Sequence, residues 1–524
     1  MSRLSIDTQN TAEKTVEELY KDLERRVQAS QPGLCPVDLA ASFLKTCYAQ
    51  SCGKCVPCRV GLGQLEKMLA QVLDGPADPE LLDLIERTAQ SIYYSADCAI
   101  GSEAARMILK GVRGFRDDYI EHIEHGRCIG KHNQPVPCVS QCPAHVDIPG
   151  YIALIHEERY TDAVQLIRKD NPFPSVCGMI CEHPCEVRCR RTLVDDAVNI
   201  RGLKRYACEH SGELPVPEVA ESTGKKIAVI GGGPSGLSAA FYLTIMGHEV
   251  TVYEQRKQLG GMLRYGIPNY RLPRAVLDRE IANMKAVGFK TVCDVRVGKN
   301  ISIKEIREQN DAVYVSIGAH TGSRLSIEGD DADGVISAVD ILRDIGDDRY
   351  PDFTGQHIAV VGGGNVAMDV ARTAFRQGAR EVTVYARSKH VSASSDELEY
   401  ALLDGCELVQ GKAICEINER GPVFRTAIFD ADDKVAGYEN ELDQVECDTV
   451  IVAVSQKPAN RLIATTDGLE ADERGLLVVD ETGQTSVPGV FAAGDVVTGP
   501  NTVVHAVAAT KIAVEGMLEH MGVA

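Results

Sequence analysis

No apolar run in this chain reaches the roughly 18 residues that a membrane-crossing helix needs, so membrane insertion is not expected. The opening stretch, MSRLSIDTQNTAEKT, is polar and lacks the core of a signal peptide, which makes the cytoplasm the expected location. Positive charge is in short supply: 55 Lys and Arg face 75 Asp and Glu, a net −20. A field of that sign repels nucleic acid and argues against such a partner. Beyond residue 208 cysteine is scarce, with only Cys293, Cys406, Cys415 and Cys447 and no C-x2-C or C-x4-C pair. A redox dithiol in that part of the chain is therefore not expected. What remains is ordinary for globular domains, 44% hydrophobic and 25% charged, and 524 residues exceed what one core accommodates.

Fourteen of the eighteen cysteines precede residue 209. In a reducing compartment such a block points to metal rather than disulfides. Cys52, Cys55 and Cys58 lie in SCGKCVPCRVG, and Cys98 follows in SADCAIGSE, so the spacing is C-x2-C-x2-C-x39-C. Three thiolates from one turn and a fourth from afar suit the corners of an iron–sulfur cubane better than one zinc ion. Between them GLGQLEKMLAQVL places Leu62, Leu65, Leu69 and Val72 on one helical face, and PELLDLIERTAQ repeats the pattern more briefly. The loop, Cys98 and the GFRDDYIEHI helix, over about residues 30–125, resemble the C-terminal iron–sulfur domain of the NADH-binding flavoprotein subunit of respiratory complex I and of related hydrogenase subunits. That resemblance implies a [4Fe–4S] cluster on Cys52, Cys55, Cys58 and Cys98 in a helical domain spanning residues 1–125. The flavin-binding part of that subunit is missing, so this domain does not itself oxidise NADH.

A second block holds Cys138 and Cys142 in PVPCVSQCPAHVDIPGYI and Cys177, Cys181, Cys185 and Cys189 in VCGMICEHPCEVRCRR. Pro184 breaks any helix through the four-residue steps, so a chain bending around a cluster is expected. The amphipathic stretch GYIALIHEERYTDAVQLIRK joins the two groups. With NIRGLKRYA, the block resembles the N-terminal domain of the glutamate synthase small subunit. The same module occurs in dihydropyrimidine dehydrogenase and in the large subunit of NADH-dependent ferredoxin:NADP oxidoreductase. The resemblance implies two [4Fe–4S] clusters over residues 126–220, one on Cys142, Cys181 and Cys185, the other on Cys138 and Cys189. This chain departs from that pattern. Cys128 precedes Cys138 by nine residues without a middle cysteine, which leaves His132 or Cys208 as substitutes. Lys204 falls where some relatives offer a polar ligand, and a protonated lysine cannot ligate, so Cys177 is the alternative. A structural zinc site is the competing chemistry for this block.

From Lys225 the composition changes. KKIAVIGGGPSGLSAAFYLTIMGHEVTVYEQ reads as strand, Gly231-x-Gly233-x-x-Gly236, helix, and a strand ending at Glu254. The glycines give a tight turn, close approach of a pyrophosphate and close helix packing, and Glu254 stands where a carboxylate accepts ribose hydroxyls. The pattern returns in QHIAVVGGGNVAMDVARTAFRQGAREVTVYARSKH with Gly362, Gly364 and Ala367. There the acid has become Ala386, followed by Arg387, which suits a 2′-phosphate. The first site thus reads as FAD and the second as NADP(H). The tail SVPGVFAAGDVVTGPNTVVHAVAATK, with Gly494 and Asp495, resembles the second FAD motif of flavoproteins with two dinucleotide domains. GGMLRYGIPNYRLPR, with Gly261, matches the glutamate-synthase-like family near the flavin.

The expected architecture is α/β: two Rossmann-like domains, FAD-binding (221–350 and 455–524) and NAD(P)-binding (351–454), after two helical iron–sulfur domains. A nicotinamide moves hydride and an iron–sulfur cluster moves single electrons, so a flavin belongs between them. The implied function is exchange of hydride between NADP(H) and FAD and relay through two or three [4Fe–4S] clusters to partner subunits of a redox complex or to ferredoxin, with flavin-based bifurcation of the transhydrogenase type as the leading version. The alternatives are the small subunit of NADPH-dependent glutamate synthase and an electron-input subunit of a hydrogenase or formate dehydrogenase complex. A purely structural role for the first cluster is the non-catalytic reading. Hydride transfer demands no side-chain acid or base, and none is assigned.

Overall fold

The computed structural model describes residues 11–29, 34–128 and 136–523. The chain forms two compact units, Met1–Gln141 with Pro184–Val198, and Cys142–His183 with Asn199–Ala524.

The first unit is helical. Its core comes from residues three and four apart on Pro36–Ala49, Gly63–Asp74, Glu80–Ser95 and Ala99–Gly114, among them Phe43, Leu44, Leu65, Leu69, Ile85 and Ile108. Each such side chain contributes about 1.5–3 kcal/mol by leaving water. Leu65, Leu69 and Val72 share the buried face read from the sequence, and Met68 joins them. Leu62 is buried too, but at the end of a preceding π-helical turn, Pro57–Leu62, which also carries Cys58. The short helices Pro137–Gln141 and Pro184–Val187 pack on one another in this unit.

The second unit is built on strands β1 (Lys226–Ile230), β2 (Glu249–Tyr253), β3 (Lys290–Val292), β4 (Ala312–Val315), β5 (Thr321–Gly322), β6 (Val335–Ser337), β7 (His357–Val361), β8 (Glu381–Ala386), β9 (Glu407–Gln410), β10 (Lys412–Asn418), β11 (Gly421–Phe429), β12 (Val435–Gln444), β13 (Thr449–Val452), β14 (Gln456–Lys457) and β15 (Val490–Ala492). Two parallel sheets result, ordered β15-β4-β1-β2-β3 and β6-β13-β7-β8-β9. Apolar runs such as IAVI and IAVV are buried along their whole length, as sheets covered on both faces require. Each glycine turn leaves one central strand, β1 or β7, and enters a covering helix, Pro234–Ile245 or Asn365–Arg376. The last strand, β15, returns to pair with β4, so the first sheet is completed by the tail. The antiparallel β10-β11-β12 meander belongs to the second lobe, and the β5–β14 pair joins the segments that enter and leave it. The second sheet begins earlier than residue 351: β6 pairs with β13, and the helix Ala338–Gly346 follows it. Its brevity hides β6 from periodicity, and only pairing identifies it.

The block read as one iron–sulfur domain over 126–220 is divided between the units. Cys138, Cys185 and Cys189 lie in the first and Cys142, Cys177, Cys181 and Cys208 in the second.

Candidate active site

Within the second unit a cavity of about 600 Å³ is lined by both glycine turns. Gly231, Gly233, Glu254, Gly261 and Asp495 form one part of its wall, and Gly364, Asn365 and Asp369 another. Cys177 and Cys181 also line it.

Local geometry explains the glycines. Gly231 has φ +110°, and a Cβ there would meet the Ser316 carbonyl oxygen at 2.4 Å. A Cβ on Gly236 would lie 1.9 Å from the Gly231 carbonyl oxygen, so helix and strand approach only without one. Gly233 caps the helix Pro234–Ile245, and with Pro234 and Ser235 it lines the cavity. Glu254 directly follows β2 and is 6% exposed. Its Oε2 accepts from the Gly232 N–H at 2.7 Å and its Oε1 from the Arg256 N–H at 2.9 Å. Burial raises its pKa against those two donors. The carboxylate is thus held rigidly at the strand end.

Asp495 follows Gly494 (φ +77°) and accepts from the Asn501 N–H at 3.2 Å; burial pushes its carboxyl up to about 6. Three residues that the motifs did not flag tie the tail to the first turn. Ser235 Oγ lies 2.6 Å from the Tyr314 hydroxyl and 2.9 Å from Thr510 Oγ1, all three buried, and it donates to the Ala493 carbonyl. The strand and helix patterns placed each separately, and nothing local announced their meeting.

At the second turn Gly362 has φ +148°, and a Cβ would sit 2.5 Å from the Ala453 carbonyl oxygen. Gly364 caps the helix Asn365–Arg376, and Ala367 is fully buried beneath the turn. Arg387, one residue past β8, is exposed, whereas Lys389 and His390 both engage Asp433. Arg387 does not line the cavity.

A buried charge network, not legible in the motifs, joins the segment around Gly261 to the second lobe. Arg271 bridges Asp369 (2.6 Å) and Glu397 (2.5 Å), and Arg372 contacts Glu397 (3.3 Å) and Asp404 (2.9 Å). The Tyr270 hydroxyl donates to the Asp369 carbonyl, and the Arg372 guanidinium lies 4.7 Å from the Tyr270 ring. The cysteine segment is anchored similarly: Asn365 Nδ2 donates to Glu182 at 2.7 Å, and Arg201 bridges Asp396 and the Cys181 carbonyl.

Cys177 is the third-last residue but one of Pro174–Ile180, and Cys181 caps that helix; the chain turns before Pro184, as the proline dictates. Burial pushes Cys177 up to about 12 and raises Cys181; Cys177 feels Cys181, and both feel the buried Lys204. Cys142 is a further neighbour of Cys181. Lys204 is buried beside Cys177 and Cys181. Cys208 instead neighbours Glu280 and Ser175, and His132 lies outside the described residues.

In the first unit Cys55, Cys58 and Cys98 converge. A backbone hydrogen bond from Asp97 lowers Cys55, burial pushes Cys58 up to about 12, and Cys58 feels both Cys55 and Cys98. A Cβ on Gly101 would come within 2.7 Å of Cys58 Sγ, so that glycine admits the loop against the helix. Cys52 is exposed at the loop's start. Cys128 departs from the reading of the second block: it sits with Cys35 and His122, because the helix Arg116–His125 ends in a left-handed Gly126 that turns the chain back.

None of Cys293, Cys406, Cys415 and Cys447 lines the cavity. Among the described residues, its thiols are those of Cys177 and Cys181.

Residues 225–510 match the pyridine nucleotide-disulphide oxidoreductase family, 38–122 the NADH-ubiquinone oxidoreductase-F iron-sulfur binding region, and 113–214 the dihydropyrimidine dehydrogenase domain II, 4Fe-4S cluster. The chain is 35% identical to the NADP(+)-dependent formate dehydrogenase subunit beta of Moorella thermoacetica, over 90% of this chain and 78% of that one. It is 32% identical to the glutamate synthase [NADPH] small chain of Escherichia coli, over 74% of this chain and 89% of the relative. Mycobacterium tuberculosis FprA in complex with NADPH shares the fold at TM-score 0.50 and 20% identity, covering 57% of this chain and 85% of that one.

Proposed function

We propose, from the premise that this chain belongs to the pyridine nucleotide-disulphide oxidoreductase family, that it takes electrons from NADPH into one flavin and passes them singly to a partner subunit. The chain is an NAD(P)H-dependent flavin and iron–sulfur oxidoreductase, with an FAD- and NADP-binding region and two iron–sulfur regions. When bound, NADPH supplies hydride, the flavin converts the pair into single electrons, and the clusters carry them.

The observation that carries the reading is the shared cavity: both glycine turns and Cys177 and Cys181 open onto it. Gly233 and the N–H groups behind it receive the FAD pyrophosphate, and Glu254 accepts the adenosine ribose hydroxyls. Asp495 and the N-terminal end of its helix orient the ribityl region. Gly364 and Ala367 let the NADPH pyrophosphate approach, and Arg387 pairs with the 2′-phosphate. The Arg271–Asp369 pair holds the second lobe against the flavin segment. Of the second cysteine block, Cys142 and Cys181, with Cys177, are the cluster ligands of the second unit, and Cys138, Cys185 and Cys189 are those of the first.

Cys52, Cys55, Cys58 and Cys98 form the exchange point with the partner. Cys52 is exposed, and Val56 and Val60 beside it are 60% and 50% exposed, an apolar rim that suits protein docking. The partner is a subunit of a cytoplasmic redox complex, of the formate dehydrogenase or transhydrogenase kind, or ferredoxin, and electron bifurcation at the flavin is the version that uses every centre. The match to the glutamate synthase small chain leaves part of this chain uncovered, which favours a partner of another kind.

Anaerobic stopped-flow mixing with NADPH tests the proposal. The flavin band bleaches first, and reduced-cluster paramagnetic signals follow on a slower phase. Bleaching by NADH but not NADPH, or clusters that stay oxidised while the flavin is reduced, would overturn it.

A further inference from the structure

We propose that Cys35, His122 and Cys128 bind a zinc ion that clamps the start of the helix Pro36–Ala49 to the end of the helix Arg116–His125. Cys35 precedes the helix Pro36–Ala49, His122 lies in the last turn of Arg116–His125, and Cys128 stands two residues beyond its Gly126 cap. His122 is 5% exposed. Its Nε2 is 3.1 Å from Cys35 Sγ and 3.2 Å from Cys128 Sγ, and all three ligand atoms lie within 4.8 Å of one another.

One imidazole nitrogen and two sulfurs thus converge on a single point. The ring's other nitrogen, Nδ1, is buried without a partner, so Nε2 is the atom the ring offers to this site. The Cys128 thiol also reaches the Cys35 sulfur, so the two sulfurs and Nε2 all face one another. A divalent cation satisfies all three atoms, and two thiolates neutralise its charge.

The dimensions fit one ion rather than a cluster. Tetrahedral zinc, with bonds of about 2.3 Å to sulfur and about 2.0 Å to nitrogen, sets the nitrogen–sulfur separation near about 3.5 Å, within half an ångström of both distances here. Two sulfurs, one imidazole and a fourth position open to water or another donor form a borderline-soft set that zinc prefers and calcium or magnesium does not. Zinc has no redox chemistry, so its role is to tie the start of Pro36–Ala49 to the end of Arg116–His125. The site is separate from the Cys52 set and from the cysteines of the second block, and it removes Cys128 from their ligands.

The test uses the full-length protein purified anaerobically with its flavin and clusters. Elemental analysis is expected to find one zinc per chain beside the iron, and zinc-edge X-ray absorption to show two sulfur neighbours at about 2.3 Å with nitrogen or oxygen at about 2.0 Å. The double substitution C35S/C128S loses the zinc, keeps the iron and still shows NADPH-driven flavin bleaching. A wild-type protein without zinc after growth in zinc-supplemented medium, a zinc shell of four sulfurs, or a Cys35–Cys128 disulfide in the mapped peptides would each overturn the proposal. If the double variant fails to fold, the absorption edge of the wild-type protein still decides.

Discussion

The Arg271 bridge makes a quantitative claim about how the second lobe is held. Its side chain is 13% exposed, and its carboxylate partners Asp369 and Glu397 are 5% and 10% exposed. Arg271→Met preserves bulk but leaves two buried carboxylates facing Arg372, which also serves Asp404. Removing one partner of a buried ion pair costs about 3–5 kcal/mol, because the remaining charge stays desolvated. Arg271→Met with Asp369→Asn is expected to recover about 1–3 kcal/mol relative to the sum of the single changes, the coupling of groups in contact.

Proton linkage sharpens the test. Burial raises the Asp369 carboxyl to about 7 even with Arg271 alongside. A raised acid contributes stability that is complete below its unfolded pKa and is lost as pH rises through the folded one. Without Arg271 the folded value climbs further, so the deficit of the variant grows from pH 6 to pH 8, by at most about 1.4 kcal/mol per pH unit. Urea unfolding followed by flavin fluorescence at both pH values measures this. Stopped-flow reduction by NADPH should be slowed about 10–100-fold with FAD content unchanged, since a shift of about 1 Å between reacting groups has that effect. Additive single effects, a pH-independent deficit, or wild-type bleaching rates in Arg271→Met would refute the reasoning.

Other expectations follow from single groups. Arg387→Ser should raise the KM for NADPH about 10–100-fold and leave that for NADH within about twofold, the loss of one charge-assisted hydrogen bond; parallel steady-state kinetics with the two coenzymes check it. Cys55→Ser should reduce iron by about four atoms per chain. It should also abolish transfer to the partner while NADPH still bleaches the flavin, as iron analysis and single-turnover kinetics would show. Asp495 has a folded pKa raised from 3.8 to about 6, so its contribution is complete below about pH 3.8 and lost as pH rises through about 6. Asp495→Asn is therefore expected to stabilise the flavin-free protein by about 2–3 kcal/mol at pH 7.5. It should also weaken FAD binding, read as a higher urea midpoint and faster flavin loss.

Much of the site was legible because its signals are local. Gly231, Gly233 and Gly236 are required by one turn, and that turn's neighbours along the chain are the strand and helix that need it. The replacement of an acid by Ala386 and Arg387 is read the same way, from a repeat aligned on itself. Cysteine spacing announced metal, and Pro184 announced a bend, since each acts within a few residues. Local signals do not say which distant groups share a volume. Only the tertiary structure put Cys177 and Cys181 on the same cavity as both nucleotide turns, and set Arg271 between Asp369 and Glu397. It alone moved the start of the second sheet to Val335, and it alone took Cys128 to Cys35 and His122. Those outcomes depend on burial and on pairing between segments far apart in sequence, where the free energy lies in removing both partners from water together and no single segment carries a mark of the other.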